Sequence, residues 1–160
     1  MTTSPRERLA GALAVQTNLG NVALKAGVAP RAMLNASMAR PVNTVAYVRI
    51  AAAIGFDPSP ELEHVRIPPS DFSFALFAMG FFVRRGANRH SDRAAAKLID
   101  VSPSTISRIE RGDVMSIGVV LRGCRYIGLH AFGYCGLQDF LKHSEVSRET
   151  PTKTPLASTG

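Results

Sequence analysis

The stretch Ser91–Gly112, SDRAAAKLIDVSPSTISRIERG, decides the fold. Ser91 can cap a short helix that reaches about Leu98. Ser102 can cap the next one, with Pro103 at its first position, where the missing N–H costs nothing. Gly112 stops that second helix. Ala96 is small where the two axes cross, and Val101 fills the turn between them. Ile106 and Ile109 are three apart, so both face inward. Ser104, Thr105, Ser107, Arg108 and Arg111 are left for the outer face. Short hydroxyls at a helix N-terminus can approach base edges or phosphates closely. Arg108, one turn on, can reach guanine O6 and N7 bidentately. Arg111, near the helix end, is better placed for phosphate. The N-termini at Ser91, with Arg93 beside it, and at Ser102 offer free N–H groups and positive dipole ends to a phosphate backbone.

A fainter copy of this pattern lies upstream at a constant offset of 73, since Val28-Ala29-Pro30 meets Val101-Ser102-Pro103. Ala23 meets Ala96, Arg49 meets Arg122, and Ile54-Gly55-Phe56 meets Ile127-Gly128-Leu129. Apolar positions coincide as well: Met33 with Ile106, Ala36 with Ile109, Val48 with Leu121. The shared residues fall at helix starts, helix ends and core positions, as a structural repeat requires.

The caps extend this to an all-α reading with two tandem units of four to five helices. Residues 1–56 form the first unit, 57–70 a linker, 71–143 the second unit and 144–160 a disordered tail. In the second unit, Ser70 is expected to cap a helix running to about Arg85, with Gly86 after it. The next two are the helices of the opening stretch. A fourth runs from about Ile117 to Ile127, and Cys135–His143 adds a short fifth. In the first unit, Ser4-Pro5 starts helix one, Asn18 caps helix two, Ala29-Pro30 opens helix three, and helix four ends at Ile54-Gly55. His64–Ile67 is the one short strand candidate.

Charge supports a polyanionic partner. The chain has 160 residues, a formal net charge of +7, 46% hydrophobic residues and 19% charged ones. That composition suits packed domains rather than a disordered chain. Residues 1–55 carry a net +5 and residues 71–143 a net +4, around an acidic linker of −2. Two basic blocks favour nucleic acid before membrane. Phe72–Val83 is strongly apolar but too short to span a bilayer, and Arg84-Arg85 ends it. MTTSPRERLAG lacks an apolar signal core, so the expected location is cytoplasmic, on the bacterial nucleoid when bound.

Enzymatic readings find little support. His64, His90, His130 and His143 are scattered without metal spacing, and there is no glycine-rich phosphate loop. His90-Ser91-Asp92 cannot form a triad by adjacency, and Ser91 is better used as a cap. Cys124 and Cys135, eleven apart, fit neither a metal site nor a disulfide framework. Cys124 aligns with Ala51 and reads as a core filler. The expectation is therefore no enzyme, no cofactor and no metal.

Residues 71–130 resemble the Cro/lambda-repressor (xenobiotic-response-element) type of helix-turn-helix protein. The resemblance is carried by Ala96, Val101, Ile106 and Ile109, by the turn VSPSTISRIERG, and by the ending Tyr126-Ile127-Gly128-Leu129. It implies that Ser104, Thr105 and Arg108 occupy base-contacting positions, and that Arg85 pairs with Glu110. One residue departs from the pattern: the family often has a phosphate-binding Gln where this chain has Asp92. In the first unit the recognition helix would be Pro30–Met38. Arg31 and Asn35 fall at the positions of Ser104 and Arg108, and Ala32 could touch a thymine methyl. Asn18 and Arg40 are the weaker backbone candidates there. Leu34 and Met38 replace Ser107 and Arg111, so that outer face is more apolar. Counting back by 73, Arg85 and Glu110 meet Ala12 and Ser37, so both charges are absent together.

The function expected is a sequence-specific double-stranded DNA-binding transcriptional regulator, a repressor by analogy. The alternatives are a protein-binding module of antitoxin or antiactivator type, or an architectural or recombination accessory factor. Partners expected are double-stranded DNA, a second copy in a homodimer, and a protein captured by the Phe-rich helix.

Overall fold

The computed structural model describes residues 3–63 and 71–135, and among them the chain is all-helical. The first four helices are α1 (Pro5–Ala14), α2 (Leu19–Ala26), α3 (Pro30–Ser37) and α4 (Thr44–Ile54). The next four are α5 (Phe74–Ala87), α6 (Asp92–Ile99), α7 (Pro103–Glu110) and α8 (Ile117–Ile127), followed by a 3-10 turn, Ala131–Tyr134. Cys135 closes the described part, so the expected fifth helix over 135–143, the strand candidate His64–Ile67 and the tail lie outside the described residues.

Local chemistry sets the boundaries. The Ser4 side chain accepts from Glu7 N–H, and the Glu7 carboxylate accepts from Ser4 N–H at 2.7 Å, a reciprocal capping box. Asn18, Asn43, Ser91 and Ser102 cap α2, α4, α6 and α7. The start of α5 differs from expectation. Ser73 caps it, accepting from Leu76 N–H at 3.2 Å, and the helix runs on to Ala87, past Gly86. Arg84 and Arg85 then lie within the last turn, where cations suit the dipole.

Helix ends recur at the offset of 73. Gly27 and Asp100 both close the second helix of their set in the left-handed region, at φ 64° and 55°. Behind them Val28 N–H donates to Ala23 O and Val101 N–H to Ala96 O. Ala39 and Gly112 are left-handed after α3 and α7, as are Gly55 and Gly128 after α4 and α8. A further shared bond involves arginine. Arg49 Nη1 donates to Gly27 O at 2.8 Å, and Arg122 Nη1 donates to Asp100 O at 2.9 Å. Each guanidinium satisfies an orphan carbonyl at a helix end.

The correspondence slips by one residue in the first helix of each set. Leu9 and Leu13 are buried, whereas residues 73 further on, Phe82 and Gly86, are exposed. The inward face of α5 is Phe77, Phe81 and, one turn on, the half-buried Arg85. By face rather than by count, Leu13 is the counterpart of Arg85, not Ala12. The turns that follow also differ: Arg89 is left-handed at φ 54°, and the α1–α2 connection has no such residue.

The core is continuous across both sets. α1 packs on α3 and α2 on α4, as α5 packs on α7 and α6 on α8, and α4 also packs on α8. Phe72, Phe77 and Tyr134 form an aromatic cluster with ring centroids 5.6–5.9 Å apart, Tyr134 meeting both phenylalanines edge to face and the two phenylalanines tilted. The beginning of the expected linker is packed rather than free. Pro58 and Ser59 are buried, Arg8 Nη2 donates to Pro58 O at 2.9 Å, and Arg125 lies 3.5 Å from Glu61.

Candidate nucleic-acid interface

α6 and α7 meet as the sequence predicts. Ala95, Ala96, Ile99, Ile106 and Ile109 are buried between them and the rest of the core. The Ser102 hydroxyl caps α7 by accepting from Thr105 N–H, and it lies 2.9 Å from both Ser104 Oγ and Thr105 Oγ1. Three hydroxyls thus cluster at one helix N-terminus. Ser104, Ser107, Arg108 and Arg111 are exposed, and Thr105 is half-buried. Ser91 and Arg93 are exposed at the N-terminus of α6, and Lys97, two turns along, is exposed too. The sequence-selected residues of this unit are thus accessible, Thr105 in part, and the structure brings Ser102, Ser104 and Thr105 together.

Asp113 was not foreseen. Its carboxylate lies 2.8 Å from Arg111 Nη2 and 3.6 Å from Arg108 Nε. The hydrogen bond from Arg111 and the charge of both guanidiniums hold the Asp113 carboxyl below the usual carboxylate range. In the free protein it occupies both arginines.

Arg85 forms a fork on Glu110, through Nε to Oε1 and through Nη2 to Oε2 at 3.0 Å. Nη1 donates to His90 O at 3.1 Å and lies 3.3 Å from Asp92. One guanidinium therefore ties the end of α5, the start of α6 and the end of α7 together. Its single positive charge faces two carboxylates, Glu110 and Asp92, and so offsets only part of their charge. His90 Nδ1 sits 2.7 Å from Tyr126 Oη and links the same turn to α8.

Residues 83–131 match the family model of a helix-turn-helix domain.

That stretch contains the end of α5, all of α6, α7 and α8, and the turn after α8. The chain thus carries a helix-turn-helix domain of DNA-binding type. Neither the curated proteins nor the solved structures include a match to this chain.

In the first four helices, Arg31 is exposed on α3, with Ala32 and Asn35 half-buried beside it. Asn18 is occupied as the α2 cap, accepting from Asn21 N–H at 3.0 Å. Arg40 is exposed beyond α3. Leu24, Leu34 and Met38 are exposed at 81%, 55% and 50%, where the other set has Lys97, Ser107 and Arg111. The two outer faces therefore have opposite character over three matched positions.

Among the described residues, no group of His, Cys, Asp or Glu could hold a metal ion, and no helix is long and apolar enough to cross a membrane. Cys124 is fully buried, and burial raises its thiol far above the ordinary value, leaving no thiolate at neutral pH.

Proposed function

We propose that the chain is a sequence-specific double-stranded DNA-binding regulator that represses transcription, with no enzymatic activity. Two units of Cro/lambda-repressor type would do the reading. α7 is the main recognition helix and α3 a second, less polar one. The observation that carries this is the exposed face of α7: a hydroxyl cluster at the helix N-terminus, with Arg108 and Arg111 one and two turns on. Ser104, Thr105 and Arg108 contact base edges. Ser91, Ser102, Arg93 and Arg111 hold phosphates, and Ser107 lies between the two groups. Arg31, Ala32 and Asn35 contact bases from α3, with Asn18 and Arg40 on the backbone. Arg85 and Glu110 set the angle between helices and do not touch DNA.

Bound in the major groove upstream of a gene, the chain excludes polymerase by occupying its site. Enrichment of random duplexes on the full chain tests this. The expected result is a defined sequence which, placed within a promoter, lowers reporter output when the chain is expressed. Enrichment of no sequence would sink the reading. The apolar residues Leu24, Leu34 and Met38 favour a second reading, in which the first unit captures a protein. That reading predicts a footprint confined to the α7 half-site.

A further inference from the structure

Asp57 and His130 are 73 residues apart, so they occupy matched positions. Each follows a left-handed glycine, Gly55 at φ 67° and Gly128 at φ 81°. Each also follows a residue bonded back into the preceding helix: Phe56 N–H to Ala51 O, and Leu129 N–H to Cys124 O. Each uses its side chain to accept from the N–H two residues on. Ser59 N–H donates to Asp57 Oδ1 at 2.8 Å, and Phe132 N–H donates to His130 Nδ1 at 3.1 Å. Because Nδ1 accepts, the ring proton resides on Nε2. Nε2 then donates to Asp57 Oδ1 at 2.7 Å, and the His130 side chain is fully buried.

Two matched side chains on matched backbone thus point at each other. A translation would leave both pointing the same way. A rotation of about half a turn brings them face to face, and residues meeting their own counterparts lie beside its axis. One neighbouring contact agrees with this, since α4 packs against α8, its own counterpart.

We infer that a pseudo-twofold axis passes beside the Asp57–His130 pair, and that one chain reads an inverted pair of unlike half-sites. This rests on the DNA-binding reading above. Helix-turn-helix dimers place two recognition helices in successive major grooves on one side of the duplex, at half-sites about 34–36 Å apart. Here the same relation holds inside one molecule, with α3 and α7 as the pair. Its axis is approximate because the faces differ, Arg31 and Asn35 against Ser104 and Arg108. The arms of the DNA site must differ accordingly, so the site is inverted in direction but not a perfect palindrome.

The test is enrichment of random duplexes on the full chain, followed by the mass of the complex and footprints of two variants. The expected consensus has two inverted, dissimilar arms about 10–10.5 base pairs apart, bound by one chain. Arg108→Ala should relax one arm and the pair Arg31→Ala, Asn35→Ala the other, each weakening binding about tenfold or more. A direct repeat, a single arm, or a perfect palindrome holding two chains would overturn the inference while leaving DNA binding intact. Enrichment of nothing would overturn both the inference and the reading beneath it. Both variants alter side chains that are exposed or half-buried, and circular dichroism of each checks that the fold is kept.

Discussion

Gly123 shows how one residue sets the packing of the second unit. A Cβ there would meet Phe77 Cζ at 2.5 Å, so α8 lies directly against the ring. The matched residue of the first unit is Ile50, fully buried, and that unit has no aromatic like Phe77 on α1. The two cores are filled from opposite sides, one by a large residue on the fourth helix and the other by a large residue on the first. Phe77 is wedged among Phe72, Phe81 and Tyr134 and has nowhere to move. Gly123→Ala should therefore destabilise the protein by about 1–3 kcal/mol, the usual range for overpacking. Urea unfolding checks this. An unchanged midpoint would mean that the Phe77 ring has another place to go. Arg85 acts at the same scale. Its fork on Glu110 and its contact with Asp92 tie the end of α5 to the start of α6 and the end of α7.

Helices two and three of each set were legible in the sequence, because Asn18, Pro30, Ser91, Ser102 and Pro103 carry their start signals locally. Helix four of each set was legible at its end, where Gly55 and Gly128 stop it. The first helix of the first set was legible too, since Ser4-Pro5 starts it as expected. That of the second set was less so, because Ser73 and not Ser70 caps it. The left-handed Arg89 that follows it gives no warning in its residue type. The outer face of α7 was read correctly as exposed, yet Asp113 was missed because it lies past the stop signal. Arg49 and Arg122, noted as a coincidence of sequence, prove to be matched caps of α2 and α6. Arg49 also grips Asp71, through Nε at 2.5 Å and Nη2 at 2.8 Å, and so joins the end of α2 to the chain entering α5. The bond lowers the Asp71 carboxyl below its ordinary value. A depressed carboxyl stabilises the fold above its unfolded pKa, and that contribution is lost as pH falls through the folded value. Asp71→Asn should thus lower Tm slightly at pH 7 and leave it level with the parent below the carboxylate range. The effect is small, since both partners are substantially exposed. A difference in Tm that persists at low pH would contradict this assignment.

Across the whole molecule, the two four-helix sets share one core and meet through matched elements. The offset of 73 was visible in the sequence, and matched helix ends and arginine caps recur at it. Sequence spacing says nothing of how the two sets face each other, and the contact between Asp57 and His130 could not be read from it, because an aspartate and a histidine do not look alike. The start of the expected linker is packed, with Pro58 and Ser59 buried and Arg8 bonded to Pro58 O, while residues 64–70 lie outside the described residues. The proposed reading of DNA by α7 through Arg108 is open to one measurement, the affinity for the enriched duplex across a salt series, for the wild type and for Arg108→Ala. The variant should lose about 1–3 kcal/mol on the enriched duplex and one base preference, while binding random duplex nearly as before. Equal affinity of the two proteins for the enriched duplex, at every salt concentration, would rule that role of Arg108 out.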